Sequence, residues 1–247
     1  MRIALLSDIH GNREALDACL AHAARQRVDR FAFLGDLVGY GADPGYVVER
    51  VAREVERGAF ALLGNHDLAA VHGAAEGMND YARAAIEWTN RVLDPAARDF
   101  IKALPMTLEE DGRLFVHSEA SSPASWRYVT DVASAERSMT AASARLTFCG
   151  HVHRPQLYHM SAMKPPVCFL PQSTAPIPLM GRRKWLAVIG AVGQPRDRNP
   201  AAAYSVLDTD SNELAFLRAP YDIEKAASKI HAAGLPQMLA ARLFVGR

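Results

Sequence analysis

The sequence predicts an α/β fold in which two mixed β-sheets pack against each other and are flanked by helices. In the first half of the chain, short apolar runs alternate with amphipathic segments, as in βα units. After residue 155 this periodicity disappears, and eight of the fourteen prolines lie between positions 155 and 200. The 247 residues are long enough to bury a sizeable core.

The first half reads as a series of buried strands, each followed by a helix. Residues 2–7, "RIALLS", form a near-continuous apolar run, which is typical of a parallel strand buried on both faces. Residues 14–27 place apolar side chains at helical spacing. The same criteria predict strands at 30–35, 59–64, 112–118 and 145–150, and helices at 45–57, 81–93, 95–103 and near 131–143.

The second half contains short β-rich runs, "QLYHM", "VCFL", "KWLAVIG", "AYSVLD" and "LAFLRA", before a helix at 221–234. These runs predict a second, more antiparallel sheet. The sequence shows no internal repeat, low-complexity tract or linker between the halves. We therefore expect residues 1–247 to form a single domain.

Composition argues against several classes of function. A net charge of +1 gives no basic field for nucleic acid, and no apolar run approaches the ~20 residues of a membrane span. The N-terminal segment is interrupted by Ser7 and Asp8, so it lacks the apolar core of a signal peptide. Three cysteines without a CxxC pair suit reduced thiols. A cytoplasmic protein is the simplest interpretation.

Polar side chains follow five of the predicted strands, at the point where each strand ends. Ligands of open α/β sheets collect at the carboxyl ends of strands, so we expect these groups to converge. They are Asp8 and His10, then Asp36, then Asn65, His66 and Asp67, then His117, and finally His151 and His153.

Each motif alone has a plainer interpretation: a helix cap, an Asx-turn or a core histidine. That interpretation would have to hold at all five strand ends, so together they favour a metal site. The donors are oxygen and nitrogen without thiolate, which disfavours structural zinc and suits Mn, Fe, Zn, Co or Ni. Two Asp, one Asn and four His of this set would make seven ligands, which are too many for one ion with an open position. They suit two divalent ions that share a carboxylate.

The blocks Asp8-x-His10, "GDLVGYG", "GNHD", "VHS" and "GHVH" resemble, in order, those of the calcineurin-like metallophosphoesterases. "FLGDLVGYGADP", "WTNRVL", "VGQPRD" and the tail from Tyr221 are similar to a bacterial small-phosphoesterase branch. The resemblance covers essentially the whole chain. It implies a four-layer αββα sandwich and a dinuclear metal-dependent enzyme that hydrolyses phosphodiesters or phosphomonoesters.

The resemblance also implies a role for each matching residue. Asp36 would bridge the two metals, which bind phosphoryl oxygens and turn a bridging water into the hydroxide nucleophile. His66 would assist the leaving oxygen, and Asp67 would orient His66. One metal would be held by Asp8, His10, Asp36 and His153, and the other by Asp36, Asn65, His117 and His151.

The substrate stays open, because the sequence departs from the family's usual blocks. "HSEASSP" replaces His-Gly-Ser-Pro, and Val188-Ile189-Gly190-Ala191 replaces Asn-Pro-Gly-Ser, which removes two polar side chains near the expected rim. Arg154 and Arg196 are candidate substrate contacts. Tyr40 and Trp126 could shape a pocket, but most aromatic residues fill the core, and we expect these two there.

Several alternative functions stay open: some are enzymatic activities that use the same metal ligands, and one is not catalytic. The substrate would be a small-molecule phosphate ester or a phosphoprotein. Protein Ser/Thr phosphatase and dinucleoside polyphosphate hydrolase activities would use the same ligands. A catalytically silent metal-binding scaffold is the non-enzymatic alternative.

Overall fold

The computed structural model describes residues 1–162 and 164–247, and it contains two six-stranded mixed sheets packed between helices. This confirms the predicted α/β fold with two packed sheets. The strands are β1 (Arg2–Leu6), β2 (Arg30–Phe33), β3 (Phe60–Ala61), β4 (Thr107–Glu110), β5 (Arg113–Val116), β6 (Leu146–Cys149), β7 (Gln156–Met160), β8 (Val167–Phe169), β9 (Ile177–Pro178), β10 (Lys184–Val188), β11 (Ala202–Asp208) and β12 (Glu213–Ala219).

Both sheets combine a parallel core with antiparallel strands. The first has the order β3-β2-β1-β11-β12-β9, in which β1, β2 and β3 are parallel. The second has the order β4-β5-β6-β10-β7-β8, in which β5, β6 and β10 are parallel. The carboxyl ends of β1, β2, β5 and β6 therefore provide loops from both sheets.

Helices cover the outer faces of the sheets. They are α1 (Arg13–Arg25), α2 (Pro44–Glu56), α3 (Asn65–His72), α4 (Asp80–Val92), α5 (Pro95–Lys102), α6 (Val132–Ala141), α7 (Ile223–Ala232) and α8 (Gln237–Val245). Helix α1 packs on β11 and β12 of the first sheet, and α6 packs on β10 and β7 of the second. Within the described residues, no helix is both long enough and apolar enough to span a membrane.

The alternation of side chains along β1 explains the layers. Ile3 and Leu5 face the second sheet in a core that also holds Phe115 and Phe148. Ala4 and Leu6 face the opposite way, into the core beneath α1 and α2. A strand between two apolar layers needs apolar residues at every position, which is why residues 2–7 show no polar alternation.

Two parts of the predicted topology are wrong. The runs "AYSVLD" and "LAFLRA" do not join a separate antiparallel sheet: they form β11 and β12, and β11 pairs antiparallel with β1 in the first sheet. The predicted strand 59–64 is shorter, because β3 ends at Ala61 and Asn65 begins α3. Strands β4 and β9 and helices α3 and α8 were not predicted.

Candidate metal centre

The polar residues at the strand ends meet at one place between the two sheets. Asp8 and His10 follow β1, Asp36 follows β2, His117 follows β5, and His151 and His153 follow β6. All six side chains are at most 5 % exposed. Burial of so many polar groups is costly unless each is paired, so their contacts decide what the site can do.

One cluster contains Asp8, His10 and His153. The Nε2 atoms of His10 and His153 are 3.2 Å apart, and Asp8 Oδ1 is 3.2 Å from His153 Nε2 and 3.9 Å from His10 Nε2. These three potential ligand atoms all lie within 4.8 Å of one another. The cluster therefore has the size of one metal site.

A second cluster contains Asp36, His117 and His151. His117 Nε2 is 3.2 Å from His151 Nδ1 and 3.4 Å from Asp36 Oδ2. The same Asp36 Oδ2 is 3.7 Å from Nε2 of His10 in the first cluster. Asp36 thus lies between the two clusters, where a carboxylate shared by two cations would have to lie.

The outer nitrogen of each histidine faces a main-chain carbonyl, which assigns the tautomers. A neutral imidazole that donates from one nitrogen presents a lone pair on the other, and second-shell carbonyls commonly orient metal-bound histidines in this way. The contacts are His10 Nδ1 to Val38 O (3.1 Å), His153 Nδ1 to Gln194 O (2.7 Å), His117 Nδ1 to Leu34 O (2.7 Å) and His151 Nε2 to Trp126 O (2.8 Å).

In these tautomers, nitrogen lone pairs of two histidine pairs point at each other. His10 Nε2 lies 3.2 Å from His153 Nε2, and His117 Nε2 lies 3.2 Å from His151 Nδ1. Two acceptors at this distance repel unless a metal cation or a proton lies between them. Asp8 Oδ1 and Asn65 Oδ1 are also buried without a hydrogen-bond partner among the described residues. The residues therefore fit a centre with two cations, one at each pair.

The carboxylates and histidines strongly perturb one another's protonation. Burial alone would raise the pKa of Asp36, but His117, His66 and His10 hold it well below its usual range. Burial alone would lower the pKa of His117, but Asp36 and then Asp8 raise it to about 9. Burial and His117 together lower the pKa of His151 to about 3. Without a cation, a proton on His117 therefore partly offsets the buried negative charge.

His66 lies beside this centre at the start of α3. Its main-chain N–H donates to Asp36 Oδ1 at 2.8 Å, and one of its ring nitrogens lies within 4.8 Å of ligand atoms of His10 and Asp36. The Nδ1 atom of His66 is buried without a hydrogen-bond partner among the described residues. Burial lowers the pKa of His66, so its imidazole is neutral near pH 7.

Asp67 does not make the predicted contact with His66. Its Oδ2 accepts from the main-chain N–H of Gly64 at 3.0 Å, as in a capping box, and its Oδ1 accepts from Val38 N–H at 3.1 Å. Burial and then Asp36 raise the pKa of Asp67 to about 7. Asp67 therefore fixes the start of α3 against the loop after β2, and it positions His66 through the backbone.

The backbone at the candidate ligands is unusual. Asp8, His10, Asp36, His151 and His153 all have φ between 51° and 65°, in the left-handed region that non-glycine residues seldom adopt. Such conformations cost free energy and tend to cluster at functional sites. The five residues thus occupy a strained framework that the surrounding fold maintains.

Gly64 and Gly150 are required by close approach to the ligands. A Cβ on Gly64 would lie 2.2 Å from the main-chain nitrogen and from Oδ1 of Asp36. A Cβ on Gly150 would lie 1.9 Å from Ser7 Oγ and 2.5 Å from Asp8 Oδ2. Contacts below 3.0 Å essentially never occur for real Cβ atoms, so both positions exclude side chains.

The segment Val188-Ile189-Gly190-Ala191 lies beneath the site and not at its rim, which corrects the prediction. Val188, Ile189 and Ala191 are fully buried. The chain then continues to Val192 and Gly193, whose N–H groups donate to the carbonyls of Ser7 and Asp8 at 2.9 Å. The segment supports the backbone of Asp8, and its apolar side chains fill core positions.

The two candidate arginines occupy different surroundings. Arg154 is exposed, its Nε donates to the carbonyl of Arg196 at 2.7 Å, and it lines a cavity with Asp197 and Arg218. Arg196 lies closer to the candidate metal centre. Its Cζ is 5.8 Å from the ring centroid of Tyr40, and the Tyr40 ring is 4.6 Å from the ring of His10. The structure brings only Arg196 close to the site.

A cavity of about 330 Å³ adjoins Asn65 and His66. Its wall includes Tyr40, Trp126 and Tyr128, and none of its lining residues is Lys, Arg, Asp or Glu. The ring of Tyr128 stacks on His151 with centroids 4.1 Å apart, although 52 % of this residue is exposed. Tyr40 packs in a core cluster, as expected, and also borders this cavity. Trp126, which was also expected in the core, is only partly buried and forms part of the cavity wall.

Comparison with known proteins agrees with this geometry. The sequence model described as the calcineurin-like phosphoesterase superfamily domain matches residues 1–212. The chain belongs to this superfamily. The family consists of phosphoesterases, so the chain is classed with hydrolases of phosphate esters. The match confirms the family that the motifs predict.

Individual relatives cover nearly the whole chain. An uncharacterised protein of Methanocaldococcus jannaschii is 33 % identical and covers 99 % of this chain and 98 % of its own. A metallophosphoesterase structure from Sphaerobacter thermophilus is 31 % identical, with a TM-score of 0.88 and coverage of 100 % of this chain and 99 % of its own. A hypothetical protein of Pyrococcus horikoshii shares the fold, with a TM-score of 0.81 at 19 % identity and coverage of 100 % and 98 %.

Proposed function

We propose that the protein is a dinuclear metal-dependent phosphoesterase that acts on small-molecule phosphate esters. One observation carries the proposal: two histidine pairs present lone pairs to each other at 3.2 Å, on either side of Asp36. A metal-binding scaffold without catalytic activity would not need these histidine pairs to lie beside a cavity that is free of Lys, Arg, Asp and Glu.

The proposed ligands divide between two cation sites. Asp36 is shared, because its Oδ2 is near histidines of both clusters. Two divalent cations, when bound, supply Lewis acidity toward phosphoryl oxygens and acidify coordinated water. The first site would use Asp8, His10, Asp36 and His153, and the second would use Asp36, Asn65, His117 and His151.

His66 is proposed to assist the leaving group. Its neutral imidazole carries one ring N–H, which can hydrogen-bond the leaving oxygen as negative charge develops there. The main-chain bond from His66 to Asp36 and the bonds of Asp67 to Gly64 and Val38 keep the imidazole at the border of the cavity. Asp67 is therefore a positioning residue in this scheme.

The cavity beside His66 is proposed to hold the leaving group. Its wall includes the rings of Tyr40, Trp126 and Tyr128 and contains no Lys, Arg, Asp or Glu, which suits a neutral organic group better than a charged peptide segment. This observation supports a small-molecule ester over a phosphoprotein. The cavity volume of about 330 Å³ lies within the usual range of small-molecule sites.

The test compares two esters and three variants. Metal-stripped protein is reloaded with Mn²⁺ and assayed on bis(p-nitrophenyl) phosphate and on p-nitrophenyl phosphate. Asp36→Asn and His66→Ala are each expected to lower metal-dependent kcat by about a hundred-fold or more. His231→Ala, an exposed histidine on α7, is the matched control and should keep wild-type activity.

The outcomes separate the alternatives. Retention of full metal-dependent hydrolysis by both site variants would overturn the mechanism. A strong preference for the monoester would redirect the search to phosphatase substrates, with phosphopeptides tested next. Two bound metals without turnover of either ester would favour the scaffold. Three statements stay predictions: the identity of the native metal, the cytoplasmic location, and a single domain over residues 1–247.

A further inference from the structure

A pair of arginines lies next to the candidate metal centre without an acidic partner. Arg196 Nη2 and Arg242 Nη1 both donate to one oxygen, Gln194 Oε1, at 2.9 Å and 3.4 Å. Throughout the described part of the chain, neither guanidinium has a carboxylate oxygen within 4.0 Å, in contrast to Arg218, which pairs with Asp197. Two cations that share one neutral acceptor repel each other.

The surroundings make this repulsion significant. Both arginines are partly buried, and Arg196 Nε is buried without a hydrogen-bond partner among the described residues. Burial and the nearby charge of Arg196 lower the pKa of Arg242. The pair therefore has unsatisfied capacity to bind an anion.

The pair is directly connected to the metal centre. The main-chain carbonyl of Gln194 accepts from His153 Nδ1 at 2.7 Å, while its side chain accepts from the two arginines. Tyr40 separates the arginines from the histidines: its ring lies 4.6 Å from the ring of His10 and 5.8 Å from Arg196 Cζ. An anionic group at the pair would thus lie across one aromatic ring from the centre.

Packing of helix α8 places Arg242 in this position. Leu239 and Leu243 of α8 pack in a cluster that includes Tyr40. At the end of the helix, Gly246 O accepts from Arg198 N–H at 2.8 Å. The superfamily match ends at residue 212, so Arg242 belongs to the part of the chain beyond it.

We propose that Arg196 and Arg242 form a subsite for a second phosphate group of the substrate, so that the enzyme prefers phosphate esters that carry a further phosphate. Guanidinium groups suit this role because their planar N–H pairs match phosphate oxygens. The inference rests on the proposed function, since the first phosphate must be bound at the metal centre.

The first experiment needs no turnover. Inorganic phosphate is titrated into the metal-free, full-length protein in chloride buffer, and the Kd is measured by calorimetry. Arg242→Ala is expected to weaken binding by about ten-fold or more, as is typical for loss of a charge-assisted hydrogen bond. Arg242→Lys should weaken it less. Arg247→Ala, an exposed arginine at the C-terminus, is the matched control and should bind as wild type.

The second experiment uses the Mn²⁺-loaded enzyme and two inhibitors of bis(p-nitrophenyl) phosphate hydrolysis. Wild type should bind thymidine 3′,5′-bisphosphate about ten-fold more tightly than thymidine 5′-monophosphate, and Arg242→Ala should remove most of this ratio. Equal phosphate affinity in wild type and Arg242→Ala, or no saturable binding to wild type, would overturn the subsite. Absence of any ester hydrolysis would instead refute the proposed function, while the phosphate titration would still report on the arginine pair.

Discussion

Replacement of Gly64 by alanine should disrupt the candidate metal centre through packing alone. Gly64 has an extended backbone with φ of −102°, so alanine meets no conformational barrier there. The new Cβ would nevertheless lie 2.2 Å from Asp36 N and Oδ1, and 2.9 Å from its Cα. Because Cβ contacts below 3.0 Å essentially never occur, the backbone of Asp36 or of Gly64 must shift by several tenths of an ångström.

The expected cost follows from this overlap. Extra methyl groups in a well-packed core typically cost about 1–3 kcal/mol, and the clash here is with backbone, which cannot rotate away. Movement of Asp36 would also displace the oxygen placed between the two clusters, and movement of Gly64 would disturb its N–H bond to Asp67. We therefore expect both a lower free energy of unfolding and weaker metal binding.

Gly45→Ala provides the matched control. Gly45 lies in the first turn of α2, and a Cβ there would meet no heavy atom within 4 Å. Loss of chain entropy in the unfolded state should make this variant neutral or more stable by about 0.4–1 kcal/mol. Urea unfolding of the metal-free variants and metal analysis of the reloaded ones give the two readouts. A Gly64→Ala protein with wild-type stability and two bound metals would refute the packing argument.

Three further outcomes are expected. The free energy of unfolding of the metal-free protein should fall between about pH 6.5 and 9, by up to about 1.4 kcal/mol per pH unit. The reason is that His117 has its pKa raised to about 9, so its stabilising proton is lost as the pH rises through that value. A flat profile in urea unfolding across this range would contradict it. Tyr128→Ala should raise KM for the aryl diester about five-fold, since its ring borders the cavity, whereas exposed Tyr81→Ala should leave KM unchanged. In native protein a thiol reagent should modify only Cys168, because the other two cysteines are buried; unfolding should expose all three.

The convergence of polar groups was predictable because it follows from backbone direction. Strands β1, β2, β5 and β6 all deliver their carboxyl ends to one place, so a polar residue after each strand was sufficient to place six side chains together. The assignment of strands to sheets was not predictable in this way. The largely apolar run of β11 indicates a buried strand, but it does not specify that the strand pairs with β1.

Contacts between loops could not be predicted from the sequence either. The Gly-Asn-His-Asp block fits either a carboxylate that orients His66 or one that caps a helix, and only the structure shows that Asp67 bonds to Gly64 and Val38. Arg242 had no motif around it. Its approach to Gln194 depends on how α8 packs against α7 and the first half of the chain.

The left-handed backbone at five of the proposed ligands restricts which amino acids evolution can place there. Asn, Asp and His tolerate φ near +60° better than other non-glycine residues, whereas β-branched residues are strongly disfavoured. Asp8, His10, Asp36, His151 and His153 all belong to the tolerated group. These residue types are also the common oxygen and nitrogen ligands of divalent cations. Apart from glycine, the shape of the main chain at these positions therefore narrows the accessible substitutions largely to residues that can bind a metal, so substitutions that avoid glycine tend to exchange one ligand type for another.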